Sequence, residues 1–381
     1  MINSKTKADV LVIGLGAHGS SIVYSLAKNG ISVIGFDSFH PPHRMGSSHG
    51  KARVIRKSYS EGIHFVPMLE RSYELFFDLQ DLTGSELIKI TGGLTVAKKG
   101  SDVLDGIKNS AKTYNCEIEI LSPSEMKYRW KIFNPDQDME GVLDLMGGAL
   151  FPERIIKANL DISKDHGADL RFNTKIVKWR STGNGVSLET EKGDIIYGDT
   201  LIISSGAWLS TLLEDLNLPL FVERQVLFWF NPIKNSKIFL PENSPNHSWE
   251  YEDGRTIYVQ PNFGQGVKAA IHHDGYEVHP EKINRNRLNV NEEKKLRSIM
   301  NPYIPDLDID SIDHAVCMYT NTPDREFIID FHPNYKNVLV ISPCSGHGFK
   351  FSPVIGEIVF NLIITNKCEF NLNPFSIERL L

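Results

Sequence analysis

The chain has 381 residues, of which 41% are hydrophobic and 23% are charged, as in an ordinary soluble globular protein. Its length predicts two domains, or one large domain with an inserted lobe. A formal net charge of −6 without a basic block argues against nucleic-acid binding. No apolar stretch approaches the length needed to span a bilayer, so we expect no membrane association.

The N-terminal segment has the order of a dinucleotide-binding unit. A buried parallel strand, a helix and a second strand are predicted at 8–13, 20–29 and 31–36. Gly14, Gly16 and Gly19 stand between the first strand and the helix, where they allow a tight turn close to a pyrophosphate. Asp37 ends the second strand and can accept hydrogen bonds from a ribose hydroxyl. This order predicts a dinucleotide site and leaves NAD and FAD open.

The middle of the chain alternates between regular elements and a polar loop. A Pro/Gly/Ser/His loop, an amphipathic helix, a strand-like stretch and a β-meander are predicted at 40–50, 65–82, 88–97 and 183–208. The meander ends in a turn at Gly206, which is a second place where backbone can meet a cofactor. From about residue 219 to 322 the chain is rich in strand-forming and aromatic residues, which predicts a separate substrate lobe.

A second strand–turn–helix pattern stands near the C-terminus. A buried strand is predicted at 337–342 and a helix at 353–364, with a turn between them that contains Gly346 and Gly348. Such a turn offers backbone amides to an anionic or polar group. Lys350 follows between two phenylalanines, and a lysine buried there needs a partner such as a carboxylate.

Several polar residues have two interpretations when only their local sequence is considered. Arg53 and Arg56 fit either surface ion pairs or a guanidinium fork for a substrate carboxylate. Cys317, which lies between Val and Met, fits either a small buried hydrophobe or an activated thiol. Lys268, near His272 in a strand-like run, fits either a solvated residue or a buried cation facing a cofactor.

The cysteine pattern and the N-terminus bear on the compartment. The four cysteines lie far apart and form no CxxC pair; they are Cys116, Cys317, Cys344 and Cys368. This pattern predicts a reducing cytoplasm, with neither a disulfide framework nor a metal site. The apolar run near the N-terminus leads directly into the glycine loop and has no cleavage site, so we do not expect a signal peptide.

Five segments together resemble the monomeric sarcosine oxidase and N-methyltryptophan oxidase family of flavoenzymes, nearly end to end. They are GLGAHG with Asp37, PPHRMGSSHGKARVIRKSYSEG, LIISSGAW, HAVCMYTNTPDREFIID and SGHGFKFS. The resemblance implies FAD and an α/β, two-domain fold: a Rossmann-like FAD-binding domain and a second, mainly antiparallel-sheet substrate domain. The predicted boundaries are 1–91, 148–219 and 323–381 for the discontinuous FAD-binding domain, and 92–147 and 220–322 for the substrate domain.

The resemblance also implies roles for individual residues. Cys317 would form a thioether to the 8α-methyl group of FAD. Arg56 and Lys350 would bind the substrate carboxylate, and Lys350 would also contact the cofactor. Lys268 would lie on the far face of the flavin ring and assist electron transfer to O2. The remaining implied residues are two close to the flavin, His49 and Arg53, and three that line the substrate cavity, His272, Tyr258 and Tyr319.

The implied reaction is the oxidation of a secondary amino acid such as sarcosine or N-methyltryptophan by O2, giving the primary amino acid, formaldehyde and H2O2. Alternatives are an oxidase of a cyclic secondary amino acid such as pipecolate or proline, and a flavin dehydrogenase with another acceptor. A nicotinamide-dependent dehydrogenase is compatible with the glycine loop but not with the C-terminal segments. A flavin-fold protein that has lost catalysis conflicts with the presence of four residues, Arg56, Cys317, Lys268 and Lys350. The family resemblance implies a monomer. Lys51, Ala52, Ala270 and Pro343 depart from the family pattern, which leaves the substrate open.

Overall fold

The computed structural model describes residues 6–182, 184–286 and 289–381. The strands are β1 Lys7–Ile13, β2 Val33–Phe36, β3 Arg53–Ile55, β4 Ile88–Ile90, β5 Gly93–Lys98, β6 Ile118–Leu121, β7 Met139–Asp144, β8 Gly148–Leu150, β9 Asp169–Arg171, β10 Ile176–Ser181, β11 Val186–Thr190, β12 Ile195–Ile203, β13 Phe221–Pro232, β14 Asn246–Glu252, β15 Arg255–Gln260, β16 Val267–Ile271, β17 Leu307–Asn321, β18 Ile328–His332 and β19 Tyr335–Ser342. The helices are α1 Ala17–Lys28, α2 Val66–Thr83, α3 Asp102–Tyr114, α4 Pro123–Arg129, α5 Pro152–Asp165, α6 Leu209–Leu212, α7 Val290–Met300 and α8 Ser352–Thr365.

The first sheet has a parallel centre in the strand order β9-β2-β1-β12-β19. β18 pairs antiparallel with β19, and β10 and β11 form an antiparallel ribbon against β12. Leu11, Val12 and Ile34 are fully buried, because a parallel sheet of this kind is covered on both faces. The predicted Rossmann-like organisation is confirmed.

The first helix begins earlier than the sequence pattern indicates. α1 starts directly after Gly16, whereas the pattern placed the start at residue 20. The difference arises because Gly19 can lie inside the first turn, where a Cβ would come within 1.7 Å of the Gly14 carbonyl oxygen. The helix stops before Gly30, whose φ of +79° gives the left-handed conformation expected after a helix end.

The second sheet has the strand order β17-β13-β16-β15-β14-β5-β7-β6 and is antiparallel except where β14 meets β5. All of its strands lie within 92–147 and 220–322, whereas the first sheet lies outside those ranges. The pairing of β13 with β17 places Glu223 opposite Tyr319. A small third sheet has the order β3-β8-β4, and its first strand, β3, follows the polar loop.

One apolar segment requires a correction to the sequence analysis. Within the described residues, Gly348–Thr365 is long and apolar enough to cross a membrane, so the expectation that no stretch approaches this length was wrong. Half of the segment is buried inside the protein, and Val354 and Ile358 belong to the main core. α8 packs closely on α1, and the absence of a side chain at Gly356 permits this approach. A Cβ at this position would lie 2.5 Å from the Ser21 carbonyl oxygen.

Candidate active site

A cavity of about 890 Å³ joins the glycine loop of the first sheet to the second sheet. Its wall includes Gly14 and Asp37 of the predicted dinucleotide site together with Tyr319 and Lys350. Ligand pockets commonly measure roughly 300–1,000 Å³. The fold therefore brings most of the predicted cofactor and substrate residues, which are far apart in the sequence, into one continuous space. Gly19, inside α1, and His49, at a second cavity, do not line it.

The glycine loop is fixed by close backbone contacts. Gly14 has a φ of +89°, and a Cβ on it would lie 2.3 Å from the Ser204 carbonyl oxygen. Asp37 is buried at the end of β2, and its carboxylate accepts a hydrogen bond from the Leu15 amide at 2.9 Å. Loop and acid are thus held together at the cavity wall, in the arrangement that suits a pyrophosphate and a ribose.

Three further predicted glycines, Gly206, Gly346 and Gly348, line the same cavity. Gly348 packs against Pro343, since a Cβ at this position would lie 1.5 Å from the Pro343 carbonyl oxygen. The turn that follows β19 therefore approaches the cavity as bare backbone. The glycine loop that follows β1, at the other end of the sequence, lines the same cavity.

Cys317 lies on β17 with its sulfur against the polar loop. Its Sγ is 3.3 Å from the Ser47 carbonyl oxygen and 3.7 Å from a guanidinium nitrogen of Arg53. The residue is 2% exposed and lines the cavity. Arg53 donates hydrogen bonds to the carbonyl oxygens of Ser47 and Ala52, each at 2.9 Å. Arg53 is therefore a fixed cation beside the thiol, not part of a surface ion pair.

Lys268 on β16 is a buried lysine at the boundary of two cavities. Its Nζ donates to the carbonyl oxygens of Gly50 at 3.0 Å and Ala52 at 2.6 Å. Burial, followed by the charge of Arg53, lowers the pKa of Lys268 well below its ordinary value. Lys268 lines both the main cavity and a second cavity of about 380 Å³. The solvated interpretation of this lysine is therefore wrong.

His49 lies at the second cavity, on the same side as Lys268. Among the described residues neither of its ring nitrogens has a hydrogen-bond partner, although the side chain is buried. Burial, followed by the charges of Arg53 and Lys268, lowers the pKa of His49 to about 3. The ring is thus a neutral group that lines the second cavity together with Lys268.

Arg56 lines the main cavity, but its guanidinium already has a partner. One terminal nitrogen lies 2.5 Å and 2.7 Å from the two carboxylate oxygens of Glu61. Burial opposes the ionisation of Glu61, but the charge of Arg56 outweighs it and lowers the pKa of that carboxyl. The Arg56 and Glu61 side chains remain 19% and 30% exposed. A carboxylate entering the cavity would therefore compete with Glu61 for Arg56.

Lys350 is buried, and its partners differ from the carboxylate predicted for it. Its Nζ donates to the Tyr59 hydroxyl at 3.2 Å and to the His347 carbonyl oxygen at 2.8 Å. Burial, followed by the charge of Arg56, lowers the pKa of Lys350 to about 7. The cationic groups of Arg56 and Lys350 lie 5.1 Å and 5.2 Å from the centre of the Tyr59 ring. One aromatic ring thus brings the two cations together.

Tyr258, Tyr319 and His272 line the cavity from the second sheet and its adjoining loop. The Tyr319 hydroxyl is 3.2 Å from Nδ1 of His272. Burial raises the pKa of Tyr258 to about 12 and that of Tyr319 well above its ordinary value. Both hydroxyls therefore keep their protons and can act as hydrogen-bond donors.

The sequence analysis missed three cavity residues: Glu61, His18 and His273. Glu61 stands only five positions after Arg56, a spacing that could have suggested the ion pair. His18 is buried within the glycine loop, and burial lowers its pKa to about 4. His273 gave no usable signal, because its partner Glu223 is distant in the sequence.

A dinucleotide-binding protein whose cavity is also lined by cationic side chains is the class that this fold and this cavity define. The family model described as FAD dependent oxidoreductase matches residues 9–362. The chain therefore belongs to the FAD dependent oxidoreductase family.

Relatives and solved structures agree with this membership. Monomeric sarcosine oxidase of Streptomyces avermitilis is 37% identical over 376 residues, covering 98% of this chain and 97% of the relative. N-methyl-L-tryptophan oxidase of Citrobacter koseri is 28% identical, with coverage of 98% and 99%. L-proline dehydrogenase from P. horikoshii shares the fold, with a TM-score of 0.85 at 21% identity and coverage of 99% of both chains.

The residues present fit FAD. Gly14 packs its bare backbone against Ser204, as the first glycine of a pyrophosphate-binding turn does to keep that turn tight. His18 has a buried ring nitrogen without a partner among the described residues, next to the same loop. The same cavity is also lined by Cys317, Arg56 and Lys350, and its volume of about 890 Å³ is large enough for a bulky cofactor.

We expect Gly14→Ala to lose most of its FAD. The added Cβ would meet the Ser204 backbone at 2.3 Å, and alanine would also have to adopt a φ of +89°. Gly30→Ala is the matched control, because it has a φ of +79° and nothing within 4 Å. That variant should cost about 1–2 kcal/mol of stability and keep its flavin. Flavin absorbance per protein and thermal unfolding measure both effects, and equal flavin loss in the two variants would contradict the prediction.

Proposed function

We propose that the protein oxidises an N-methyl or other secondary amino acid, such as sarcosine or N-methyltryptophan, with O2 as the electron acceptor. The observation that carries the proposal is the position of Arg56 and Lys350 on the wall of the cavity that also holds the glycine loop and Cys317. The names of the curated relatives support it. The products would be the primary amino acid, formaldehyde and H2O2.

The two parts of the chain would divide the work. We assign FAD binding to 1–91, 148–219 and 323–381, and the shape of the substrate site to 92–147 and 220–322. The distribution of strands between the first and second sheets supports this division.

Substrate binding would begin with an exchange of carboxylates. The substrate carboxylate would replace Glu61 on Arg56 and would gain Lys350 as its second cation. Glu61 is partly exposed and can turn towards solvent, so the exchange leaves no buried unpaired charge. A negative charge beside Lys350 would also favour the protonated form of that amine, whose pKa burial and Arg56 lower to about 7.

When bound, FAD supplies the redox chemistry by accepting two electrons and a proton from the substrate carbon. Cys317 is the residue we propose for covalent attachment, because its sulfur faces the cavity and is held between Ser47 and Arg53. Tyr258 and Tyr319 would orient the substrate as hydrogen-bond donors. The chain itself binds and orients the substrate, which accounts for a large share of the rate in enzymes of this kind.

Lys268 would serve the reaction with O2. Burial disfavours the charged form of Lys268, so a neighbouring anion would stabilise its ammonium group strongly. A reduced oxygen species would be such an anion. Lys268→Met is therefore expected to slow reoxidation of the reduced enzyme by O2 by about 10²-fold or more, and reduction by substrate far less.

A matched control for Lys268 is Lys51→Met. Lys51 lines the second cavity as well, but its Nζ pairs with Asp313 at 3.1 Å. Stopped-flow measurement of both half-reactions should show little change in this variant. Equal slowing of reduction and reoxidation in Lys268→Met would argue that the lysine has only a structural role.

The substrate proposal can be tested with purified protein in a peroxide-coupled assay. Sarcosine, N-methyltryptophan, pipecolate and proline are compared at equal concentration, with glycine as the primary-amine control. Peroxide and formaldehyde from an N-methyl substrate would support the main proposal. Activity restricted to pipecolate or proline would replace it with the cyclic alternative. Reduction of the flavin by substrate without rapid reoxidation by O2 would indicate a dehydrogenase.

We further propose that the protein is a cytoplasmic monomer. The name of the sarcosine oxidase relative supports the monomer, and four free cysteines are in keeping with a reducing compartment. Light scattering of the purified flavoprotein at several concentrations would give its mass; a dimer mass would contradict the proposal.

A further inference from the structure

Two consecutive imidazoles, His272 and His273, line the cavity next to Tyr319. Their partners differ. His272 Nδ1 is 3.2 Å from the Tyr319 hydroxyl, whereas His273 Nδ1 is 3.0 Å from a carboxylate oxygen of Glu223. Burial, followed by the charge of His273, lowers the pKa of His272 well below its ordinary value. The two neighbouring rings therefore differ in chemistry as well as in partner.

The Glu223 carboxylate on β13 is held in place by several hydrogen bonds. It is buried and accepts hydrogen bonds from the Gly275 amide at 2.9 Å and the Asn321 side-chain amide at 3.0 Å, in addition to His273. Burial works to raise the pKa of Glu223, but the hydrogen bonds from His273 and Gly275 outweigh it and lower the pKa. An ionised carboxylate on Nδ1 keeps the proton of a neutral imidazole there and leaves a lone pair on Nε2.

Glu223 binds Nδ1 of His273, so the second ring nitrogen, Nε2, remains available. In the described part of the chain it has no hydrogen-bond partner, and the residue lines the cavity. Nε2 lies 3.0 Å from the point that a Cβ on Gly346 would occupy, and a Tyr319 ring carbon lies 2.9 Å from the same point. His273 itself has a φ of +53°. A left-handed backbone conformation is unfavourable for a residue with a side chain, so at a site wall it needs compensation from its surroundings.

The proposed reaction requires a base at this place. A secondary amino acid reaches the enzyme at neutral pH as an ammonium ion, and its nitrogen has no lone pair until a proton leaves. In the proposed complex the substrate carboxylate has replaced Glu61 on Arg56 and Glu61 has turned towards solvent, away from the substrate nitrogen. His272 is a weak base for the reason given above. The tyrosines of the cavity keep their protons. His273 is the imidazole that has a carboxylate partner and an open nitrogen.

We propose that His273 is the general base that deprotonates the bound substrate, and that Glu223 is its positioning residue; the inference rests on the proposed function. The ammonium N–H bond breaks and its electron pair stays on the substrate nitrogen. The proton forms a new bond to Nε2, and Glu223 balances the resulting imidazolium. The proton later returns to solvent through the cavity. Oxidation of the adjacent carbon then proceeds from the neutral amine.

Other charged groups around His273 must be considered in its pH dependence. Glu223 comes from β13 and Tyr319 from β17, while His272 and Asp274 flank His273 along the chain. Asp274 is engaged by Arg255 at 3.0 Å and by Lys295 at 2.5 Å, on the solvent side. Across the cavity stand the groups around Tyr59, namely Arg56, Glu61, His347 and Lys350. Among these, Glu223 is the one hydrogen-bonded to the imidazole, so its charge should dominate.

The test is the pH profile of kcat/KM for the best secondary amino acid, in wild type, His273→Asn, Glu223→Gln and His272→Gln. Asparagine tolerates a positive φ, so the fold should survive at position 273. We expect His273→Asn to lose about 10²-fold at pH 7 and to recover as the pH approaches the amine's own ionisation. In Glu223→Gln, the fall of kcat/KM on the acidic side of the pH profile, called the acidic limb, should move about one pH unit lower. The reason is that the negative charge next to the His273 imidazole is removed. His272→Gln should leave the limb in place.

The outcomes separate this inference from the proposed function. A limb that is unchanged in both His273→Asn and Glu223→Gln would overturn the base assignment, even if the wild type oxidises secondary amino acids. A uniform loss without any change of pH profile would mean that His273 has only a packing role. A wild type that oxidises no secondary amino acid would overturn the proposed function, and this inference with it. Flavin content and thermal unfolding confirm that each variant is folded.

Discussion

Arg56→Gln is expected to lower kcat/KM for a secondary amino acid roughly 30-fold to several-thousand-fold, which corresponds to about 2–5 kcal/mol. The guanidinium is the group best placed to hold the substrate carboxylate, and Lys350 alone is a weaker anchor because burial and Arg56 lower its pKa to about 7. A glutamine at position 56 can still donate hydrogen bonds but carries no charge. Most of the loss should appear as a raised KM in steady-state assays.

Two further variants make this prediction specific. Arg71→Gln removes an arginine that pairs with Glu357 and Glu74 outside the cavity, and kcat/KM should stay near the wild-type value. Glu61→Gln frees Arg56 from its internal carboxylate, so KM should fall rather than rise. A higher KM in Glu61→Gln would mean that Glu61 supports the bound substrate instead of competing with it.

Cys317→Ser is expected to abolish covalent retention of the flavin. The Sγ atom faces the cavity beside Arg53, and an alcohol in its place is too poor a nucleophile to form the bond. When wild-type protein is precipitated with acid, the yellow colour should stay in the pellet. In the variant it should pass entirely into the supernatant, and oxidase activity should fall because bound flavin is lost on purification.

Cys344→Ser is the matched control for this experiment. Cys344 also lines the cavity, but burial raises the pKa of its thiol to about 11, which makes it a poor nucleophile at neutral pH. The acid pellet of this variant should remain yellow. Flavin in the wild-type supernatant would show that no covalent bond forms and would remove the attachment role from Cys317.

The parts of the site that the sequence could predict are those that depend on local order. Gly14, Gly19 and Asp37 follow from a strand–turn–helix–strand succession, and each needs only its neighbours to be placed. Gly346 and Gly348 follow from the same logic at β19. The family resemblance added Cys317, whose local sequence is equally compatible with an inert buried thiol.

The parts that escaped prediction depend on distant pairings. Lys268 is buried because β16 lies against the loop that carries Gly50 and Ala52, and no period in its own strand shows this. His273 acquires its carboxylate because β13 brings Glu223 beside it across 50 positions. The positions of Lys268 and Glu223 are set by sheet register, and a shift of one residue would turn either side chain to the opposite face. His273 lies in the turn that follows β16, so its contact depends on that turn as well.

The first sheet is built from strands that are far apart in the sequence, so its parts become available at different times during translation. β1 and α1 leave the ribosome well before β19 and α8, so β12 gains β19 and α1 gains α8 as neighbours only after those later elements have been made. The nascent glycine loop therefore lacks one flank of its support during translation. We therefore expect a chain interrupted before α8 to remain colourless when it is incubated with FAD.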